Sequence, residues 1–391
     1  MRVNVFRDTS GASANVSSGR LKPGWKTFPD LPPRVVRLRG AAEMTEKQKP
    51  PKGSLVEVSR RAGVSIATAS RALNRSSHPV ADATRKKVLE AAEELGYSPS
   101  ALARALVTQR SRIIGVIVGD IVDPYFAEIT RGIEDVGAKA GYLTIVCNAD
   151  RRTELEQEQM RVLIDYHAEG VVFAGSGYAD DERGADLAAL VDRARSRRMN
   201  VLSLATRDFD CPRVLVDNRA AAYDLTDYLI SLGQRRIAFI GGPPGLHTSS
   251  QRLAGFRAAM ERAGLESDVL YEGDFSYDLG HAAAVRMLAG KQLPDAVIGA
   301  NDETAIGAIA ALRQAGVAIP ADISVAGMTD TRLARFSDLT TVNIPLYQFG
   351  AIAARRVIAG ELDADPPETV LPHRLVPRST TARRQRQAQA R

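Results

Sequence analysis

The chain has 391 residues, 45% of them hydrophobic and 25% charged, and a formal net charge of +6. Such a length exceeds one ordinary core and implies two or three globular domains. Cys147 and Cys211 are the only cysteines, which excludes a disulfide framework and a CxxC metal site and fits a reducing cytoplasm. A run of about 18 apolar residues, as a membrane span needs, is absent from the sequence.

Residues 1 to about 50 show no sustained periodicity, are rich in Gly, Ser, Pro and Arg, and lack the apolar stretch of a secretory signal. A disordered basic arm that adds nonspecific DNA affinity is one reading. The next stretch, LVEVSRRAGVSIATASRALN (Leu55 to Asn74), reads as two short helices around a tight turn. Leu55, Val58 and Ala62 share a face, Gly63 permits the reversal, and Ser65 can cap a second helix, Ile66 to Leu73, by accepting from Ala67 or Thr68. Ala69 and Ala72 are small enough for a close crossing, the geometry of a helix-turn-helix. The outer face then carries Ile66, Ala67, Ser70 and Arg71 toward a major groove. Ala83 to Leu95 is a third amphipathic helix, expected to close a small core through Val88, Leu89, Ala92 and Leu95 and to stop at Gly96. From Leu55 to Arg112 there are ten Lys/Arg and five Asp/Glu, a net +5 that suits a duplex.

AGVS (Ala62 to Ser65), TASRALN (Thr68 to Asn74), TRKKVLEAAEELGY (Thr84 to Tyr97) and SPSALARAL (Ser98 to Leu106) resemble the N-terminal domain of the lactose/galactose repressor (LacI/GalR) family of bacterial transcription regulators. The resemblance implies that Ile66, Ala67 and Arg71 meet base edges, with Ser65, Thr68, Ser70 and Asn74 in the same DNA-facing set. It also implies a hinge helix, Ala101 to Leu106, that folds on DNA, Ala103 and the wedge Leu106 entering the minor groove. Ser59 and Ala69 stand where the family usually has alanine and valine. Met44 opens a leader of the length usual in the family, so residues 1 to 43 are either the basic arm or an artefact of start-codon choice.

Beyond the hinge, strands and helices alternate. The expected strands are 112–119, 142–148, 170–174, 201–204, 236–242, 269–273, 296–300 and 323–328, with helices at 126–140, 155–167, 187–197, 220–232, 251–263, 279–288 and 304–316. Such βαβ units imply parallel sheets covered on both faces, and the restart at Asp217-Asn218 divides them into two sets. The fold class is therefore an N-terminal all-α helix-turn-helix domain followed by an α/β core of two doubly wound subdomains, like a periplasmic binding protein, with a ligand cleft between them. GDIVDPYFAEITRGIED, RLAGFRAAMERAGL and GANDETAIGAIAALRQAGVAIPADISVAGM look like family blocks in family order. The expected boundaries are a leader at 1–53, the helix-turn-helix at 54–99, hinge and linker at 100–111, the two-lobed domain at 112–380 and a basic tail at 381–391. By analogy the N-subdomain would comprise 112–216 plus 329–345, and the C-subdomain 217–328 plus 346–380.

Gly241 to Gly245 lacks both GxGxxG and the Lys-Ser/Thr of a phosphate loop and reads as a strand-to-helix turn. The five histidines make no metal spacing and there is no GxSxG elbow, so no enzyme, metal or cofactor is indicated. Effector residues follow the resemblance: Tyr125 and Phe126, which stack on a ring or pack into the core, Thr248 and Arg252 at the start of a helix, Phe275 as a wall, and Asp302, a cleft group and helix cap. Thr329 stands where sugar-binding relatives often have an aspartate, and Ala205-Thr206-Arg207 where they often have Asp-Arg. These substitutions favour an acidic or less hydroxylated ligand, held by Arg252 and Arg207, although Asp330 or Asp302 could still take hydroxyls. The reading is a cytoplasmic, nucleoid-associated homodimer that binds a pseudo-palindromic double-stranded DNA operator under control of a carbohydrate-related small molecule, without membrane contact. Its rivals are an effector-independent family member and a soluble sugar-binding protein.

Overall fold

The computed structural model describes residues 53–74, 80–98, 111–179, 184–267, 269–290, 292–360 and 368–384. Two compact units divide at Tyr97/Ser98. In the first, α1 (Leu55–Ala62) starts at a capping box in which Glu57 N–H donates to Ser54 Oγ at 3.2 Å and Ser54 N–H to Glu57 Oε2 at 2.7 Å. Gly63, with φ +67°, makes the reversal into α2 (Ile66–Asn74), and Thr68 N–H donates to Ser65 Oγ at 3.1 Å. Together with α3 (Asp82–Glu94) these helices enclose Val58, Ala69, Ala72, Val88, Ala91 and Ala92. Ser59 is buried among them because its hydroxyl donates to the Val56 carbonyl at 2.8 Å. Leu89 corrects the expected core: it is 50% exposed. The buried stripe of α3 runs Val88, Ala91, Ala92, and one residue further on lies about 100° round the helix.

The second unit holds two lobes. In the N-lobe the strands are β1 (Ile113–Val118), β2 (Leu143–Asn148), β3 (Gly170–Phe173), β4 (Asn200–Ser203), β5 (Arg213–Val216) and, far along the chain, β11 (Glu368–Leu371). They form one parallel sheet ordered β11-β5-β4-β3-β1-β2. The helices α4 (Pro124–Lys139), α5 (Thr153–Asp165), α6 (Gly184–Ser196) and α12 (Leu346–Ala359) cover its two faces, and an apolar cluster lies under each face. The C-lobe repeats the plan with β6 (Ile237–Ile240), β7 (Leu270–Tyr271), β8 (Ala296–Gly299) and β9 (Ser324–Ala326), ordered β7-β6-β8-β9. Its main helices are α7 (Asn218–Ser231), α8 (His247–Arg262), α9 (Tyr277–Leu288) and α10 (Asp302–Gln314), with a short α11 (Arg332–Phe336). Among the described residues the N-lobe has one helix pair in near backbone contact and the C-lobe two, one of them made by Gly255 of α8 against the Arg219 carbonyl of α7. A Cβ at Gly132 of α4 or Gly350 of α12 would meet the carbonyls of Tyr347 and Ile129, and Gly280 and Gly307 play the same part for α9 and α10.

The partition between lobes differs from the expected one. Residues 329–343 stay in the C-lobe, where Ala334, Leu339 and Val342 join its cores and β10 (Thr341–Asn343) pairs antiparallel with β12 (Arg374–Val376). Residues 344–360 and 368–371 belong to the N-lobe: Ile344, Leu346, Phe349 and Val357 bury against its sheet, and β11 extends that sheet beside β5. The second and third crossings therefore fall at about 344 and 372 rather than 328 and 345. Two features hidden from a search for alternating runs decide this: a long final helix whose apolar stripe fits the N-lobe, and three-residue strands. The described residues after β12 are bound to the C-lobe, since Val325 N–H donates to Thr380 O and Arg384 N–H to Leu232 O, each at 2.8 Å.

Candidate DNA-binding surface and effector cleft

On α2, Ile66, Ala67 and Arg71 are exposed, Ile66 by 49%, while Thr68 and Ser70 are half-buried. Ser65 is exposed, with its hydroxyl on Thr68, and Asn74 closes the helix. The outer face thus has the composition read from the sequence. Arg85 ties α3 to the end of α2, its Nη1 donating to the Ala72 carbonyl at 3.1 Å. Ala103, Leu106 and the rest of the expected hinge helix lie outside the described residues, as do residues 1–52.

Between the lobes, at the carboxyl ends of both sheets, lies a cleft of about 600 Å³, counting the part open to solvent. Tyr125, Phe126, Thr248, Arg252, Phe275 and Thr329 all line it, so six of the eight expected effector residues come together. Asp123 caps α4 by accepting Tyr125 N–H at 2.9 Å, which fixes Tyr125 at the mouth of β1; the two rings meet edge to face at 5.0 Å. Burial pushes the Tyr125 hydroxyl up to about 12, so it stays protonated. Phe275 sits at φ +70° with its carbonyl pinned by Asn301 Nδ2 at 2.9 Å. Thr329, at φ +118°, is a β-branched residue in strained backbone, held by donating its N–H to Val342 O at 2.8 Å.

Arg252 is 3% exposed. Its Nε donates to Asn218 Oδ1 at 2.9 Å and its Nη1 to Ala300 O at 2.5 Å, while Nη2 has no partner among the described residues. Burial lowers its pKa, opposed by Tyr125, Asp302 and Asp123.

The other two expected residues stand behind the walls. Arg207 makes a buried bidentate pair with Glu156, at 2.6 and 2.8 Å, donates to Gly175 O, and lies 5.0 Å from the Phe173 ring. Asp302 is 1% exposed and accepts from Thr329 Oγ1, Thr331 N–H, Thr331 Oγ1 and Thr341 Oγ1 at 2.6 to 3.0 Å. Desolvation raises its pKa to about 6 even against those four donors. The helix cap is its neighbour Asn301, which also lines the cleft. Asp330 is likewise held, by Arg378 at 2.6 Å and Asn343 at 3.0 Å.

The sequence reading missed Arg151, Glu156, Ser176 and Asn301. Arg151 bridges Asp120 and Asp123, each at 3.1 Å, and its guanidinium lies 5.8 Å from the Phe275 ring across the cleft. Asn301 could have been found in the AND motif by choosing its middle residue. The lobes also touch along one rim: Thr248 N–H donates to Ser176 Oγ at 3.2 Å, His247 N–H to Gly177 O at 3.0 Å and Gln251 Nε2 to Thr206 Oγ1 at 3.1 Å. Among the described residues no helix is long and apolar enough to cross a membrane, and no group of three His, Cys, Asp or Glu could hold a metal ion.

A helix-turn-helix unit followed by a two-lobed, cleft-bearing α/β unit defines a DNA-binding regulator of the ligand-responsive type. Residues 54–100 match the model of bacterial regulatory proteins of the lacI family, and residues 111–376 match that of periplasmic binding proteins and the sugar-binding domain of the LacI family. The chain belongs to the LacI family and is a transcriptional regulator rather than an enzyme. It is 36% identical over 84% of its length to the transcriptional regulator RegA of Clostridium saccharobutylicum, covering 99% of that protein. Catabolite control protein A of Priestia megaterium is 32% identical with the same coverages, and the repressor CytR of Escherichia coli K12 is 33% identical over 78% of this chain and 89% of its own. Among solved structures, the lac repressor dimer bound to operator and the anti-inducer ONPF superposes with a TM-score of 0.75 at 26% identity, covering 84% of this chain and 99% of that one. A complex of the regulator CelR with cellobiose gives 0.60 at 29% identity, with the same coverages.

Proposed function

We propose that this regulator is a repressor that binds a pseudo-palindromic operator as a homodimer in the cytoplasm, and that a small molecule held between its lobes sets its affinity for DNA. The observation that carries this is the cleft itself: both lobes contribute walls, and the buried Arg252 that lines it leaves its Nη2 without a partner among the described residues. The lac repressor dimer on its operator and CelR with cellobiose support the assembly and a small-molecule effector held between the lobes. Closure of the lobes on a ligand would change their angle and so the spacing of the two DNA-binding units; by linkage the effect is reciprocal. Ile66, Ala67 and Arg71 are the proposed base-reading residues, with Leu106 as the minor-groove wedge. Tyr125, Phe126, Thr248, Arg252, Phe275 and Thr329 touch the effector, and Arg207 and Asp302 hold the walls that present them.

The test is Arg252→Ala in the full chain, with operator binding followed by fluorescence anisotropy. Losing a charge-assisted hydrogen bond of about 1.5–3 kcal/mol should remove the ligand response, while ligand-free operator binding stays within a few-fold of wild type. A variant that still responds to ligand with unchanged sensitivity would refute the assignment of the cleft.

A further inference from the structure

Both acids that line the cleft, Asp123 and Glu156, and the two acids behind its C-lobe wall, Asp302 and Asp330, already have partners within the protein. Asp123 accepts Tyr125 N–H on one oxygen and Arg151 Nη2 on the other. Glu156 takes both Nη groups of Arg207, Asp302 takes four donors from three threonines, and Asp330 takes Arg378 and Asn343. The neutral polar groups are similarly engaged: the Asn301 amide donates to Phe275 O and accepts Thr304 N–H, and Ser176 Oγ donates to Gly177 O and accepts Thr248 N–H. Without a partner among the described residues are Arg252 Nη2, the Tyr125 hydroxyl and the Thr248 hydroxyl. The first is only a donor, and the second, still protonated at neutral pH, has a donor to place. Among the free side-chain groups donors therefore predominate: Arg252 Nη2 offers two N–H and the Tyr125 and Thr248 hydroxyls one each, and of these only the two hydroxyl oxygens accept.

That imbalance selects among ligands. Each hydroxyl of a neutral polyol brings a proton that must find an acceptor, and a buried hydroxyl left unpaired costs about 1–3 kcal/mol. A carboxylate brings acceptors alone and forms charge-assisted bonds to a guanidinium. The apolar faces of Phe126 and Phe275, with Leu246, supply contact area for a flat body and no polar complement for a hydroxylated one. We infer that the effector is a carboxylate carried on a flat, hydroxyl-poor body, its carboxylate on Arg252 Nη2 and the Tyr125 hydroxyl and its flat face against Phe126 and Phe275. This rests on the reading of the cleft as the effector site and names the chemical class it takes.

The experiment is a thermal-shift and calorimetric comparison on the full chain with benzoate and cinnamate, their neutral amides, D-glucose, D-ribose and D-gluconate. The wild-type melting temperature should rise with benzoate or cinnamate and not with the amides or neutral sugars. Arg252→Lys should weaken carboxylate binding at least tenfold, and Tyr125→Phe about fivefold, each variant being compared with its own unliganded melting temperature. Tyr125→Phe removes none of the hydrogen bonds of the wall and covers the case in which Arg252→Lys fails to fold. A shift with a neutral sugar, lost in Arg252→Lys, overturns the ligand class and keeps the cleft as the site; gluconate acting as strongly as benzoate overturns the flat body. A carboxylate shift indifferent to both variants overturns the cleft reading as well, and the absence of a shift with either aromatic carboxylate overturns the class.

Discussion

The two walls of the cleft handle buried charge in opposite ways. The N-lobe wall neutralises each acid with an arginine, Asp123 with Arg151 and Glu156 with Arg207. The C-lobe pairs Asp330 with Arg378 but keeps Asp302 and Arg252 apart as hydrogen-bonding groups: Asp302 is caged by threonine hydroxyls, and Arg252 is held by an amide and a carbonyl. Paired charges fix a surface, because both partners are satisfied before a ligand arrives. An arginine fixed by neutral groups is equally rigid yet retains its charge for a ligand. On this account the N-lobe wall provides shape and the C-lobe wall provides the grip.

The largest effect should come from breaking the N-lobe pair. Glu156→Leu strands the buried Arg207 guanidinium and should cost about 3–5 kcal/mol in a denaturant melt, whereas Glu156→Leu with Arg207→Met should recover much of that loss. Less than about 1 kcal/mol for the single change would mean that the pair is not what holds the wall.

The caged acid of the C-lobe should show itself in pH dependence. The pKa of Asp302 is raised to about 6 in the folded chain from 3.8, so the native state binds its proton more tightly than the unfolded chain does between those values. Stability contributed by the protonated form is complete below the unfolded value and lost as pH rises toward about 6. Over that window the wild type should lose up to about 3 kcal/mol relative to Asp302→Asn, and the difference should level off above it. A flat difference across the window would mean that burial does not raise the pKa of this carboxyl.

A smaller effect separates the inward-facing arginines from the outward-facing one. Arg71 is exposed on α2 and has no partner among the described residues, so Arg71→Ala should leave the fold unchanged and weaken specific operator binding by about 1–3 kcal/mol. Equal weakening on operator and random duplex would make Arg71 a phosphate contact instead.

Most of the alternation of strands and helices through Met328 was legible in the sequence because its helices are long and periodic and its elements are bounded by turn residues; the four-residue strand Arg213–Val216 was not, and the expected strands at 269–273 and 323–328 shrink to two and three residues. The expected helix 126–140 lies at Pro124–Lys139, and strand 170–174 at Gly170–Phe173. The last crossings were not legible, since Thr341–Asn343 and Arg374–Val376 are three-residue strands with no period to detect. The aromatic walls and Arg252 came from motif positions. Arg207 was misjudged because its partner Glu156 is 51 residues away, and nothing local says that two charges will meet. Asp302 was misjudged by one residue, enough at a strand-to-helix junction to exchange a cleft-lining cap for a buried acid.

The most direct test of the account measures coupling between the two units of the chain. A duplex selected from genomic fragments serves as operator, and its dissociation constant is determined at fixed salt with and without a saturating amount of whichever panel compound gives the largest thermal shift. The account predicts at least a tenfold change, a coupling of about 1.4 kcal/mol, in wild type and none in Arg252→Ala. An operator affinity that is the same with the cleft filled and empty would contradict it.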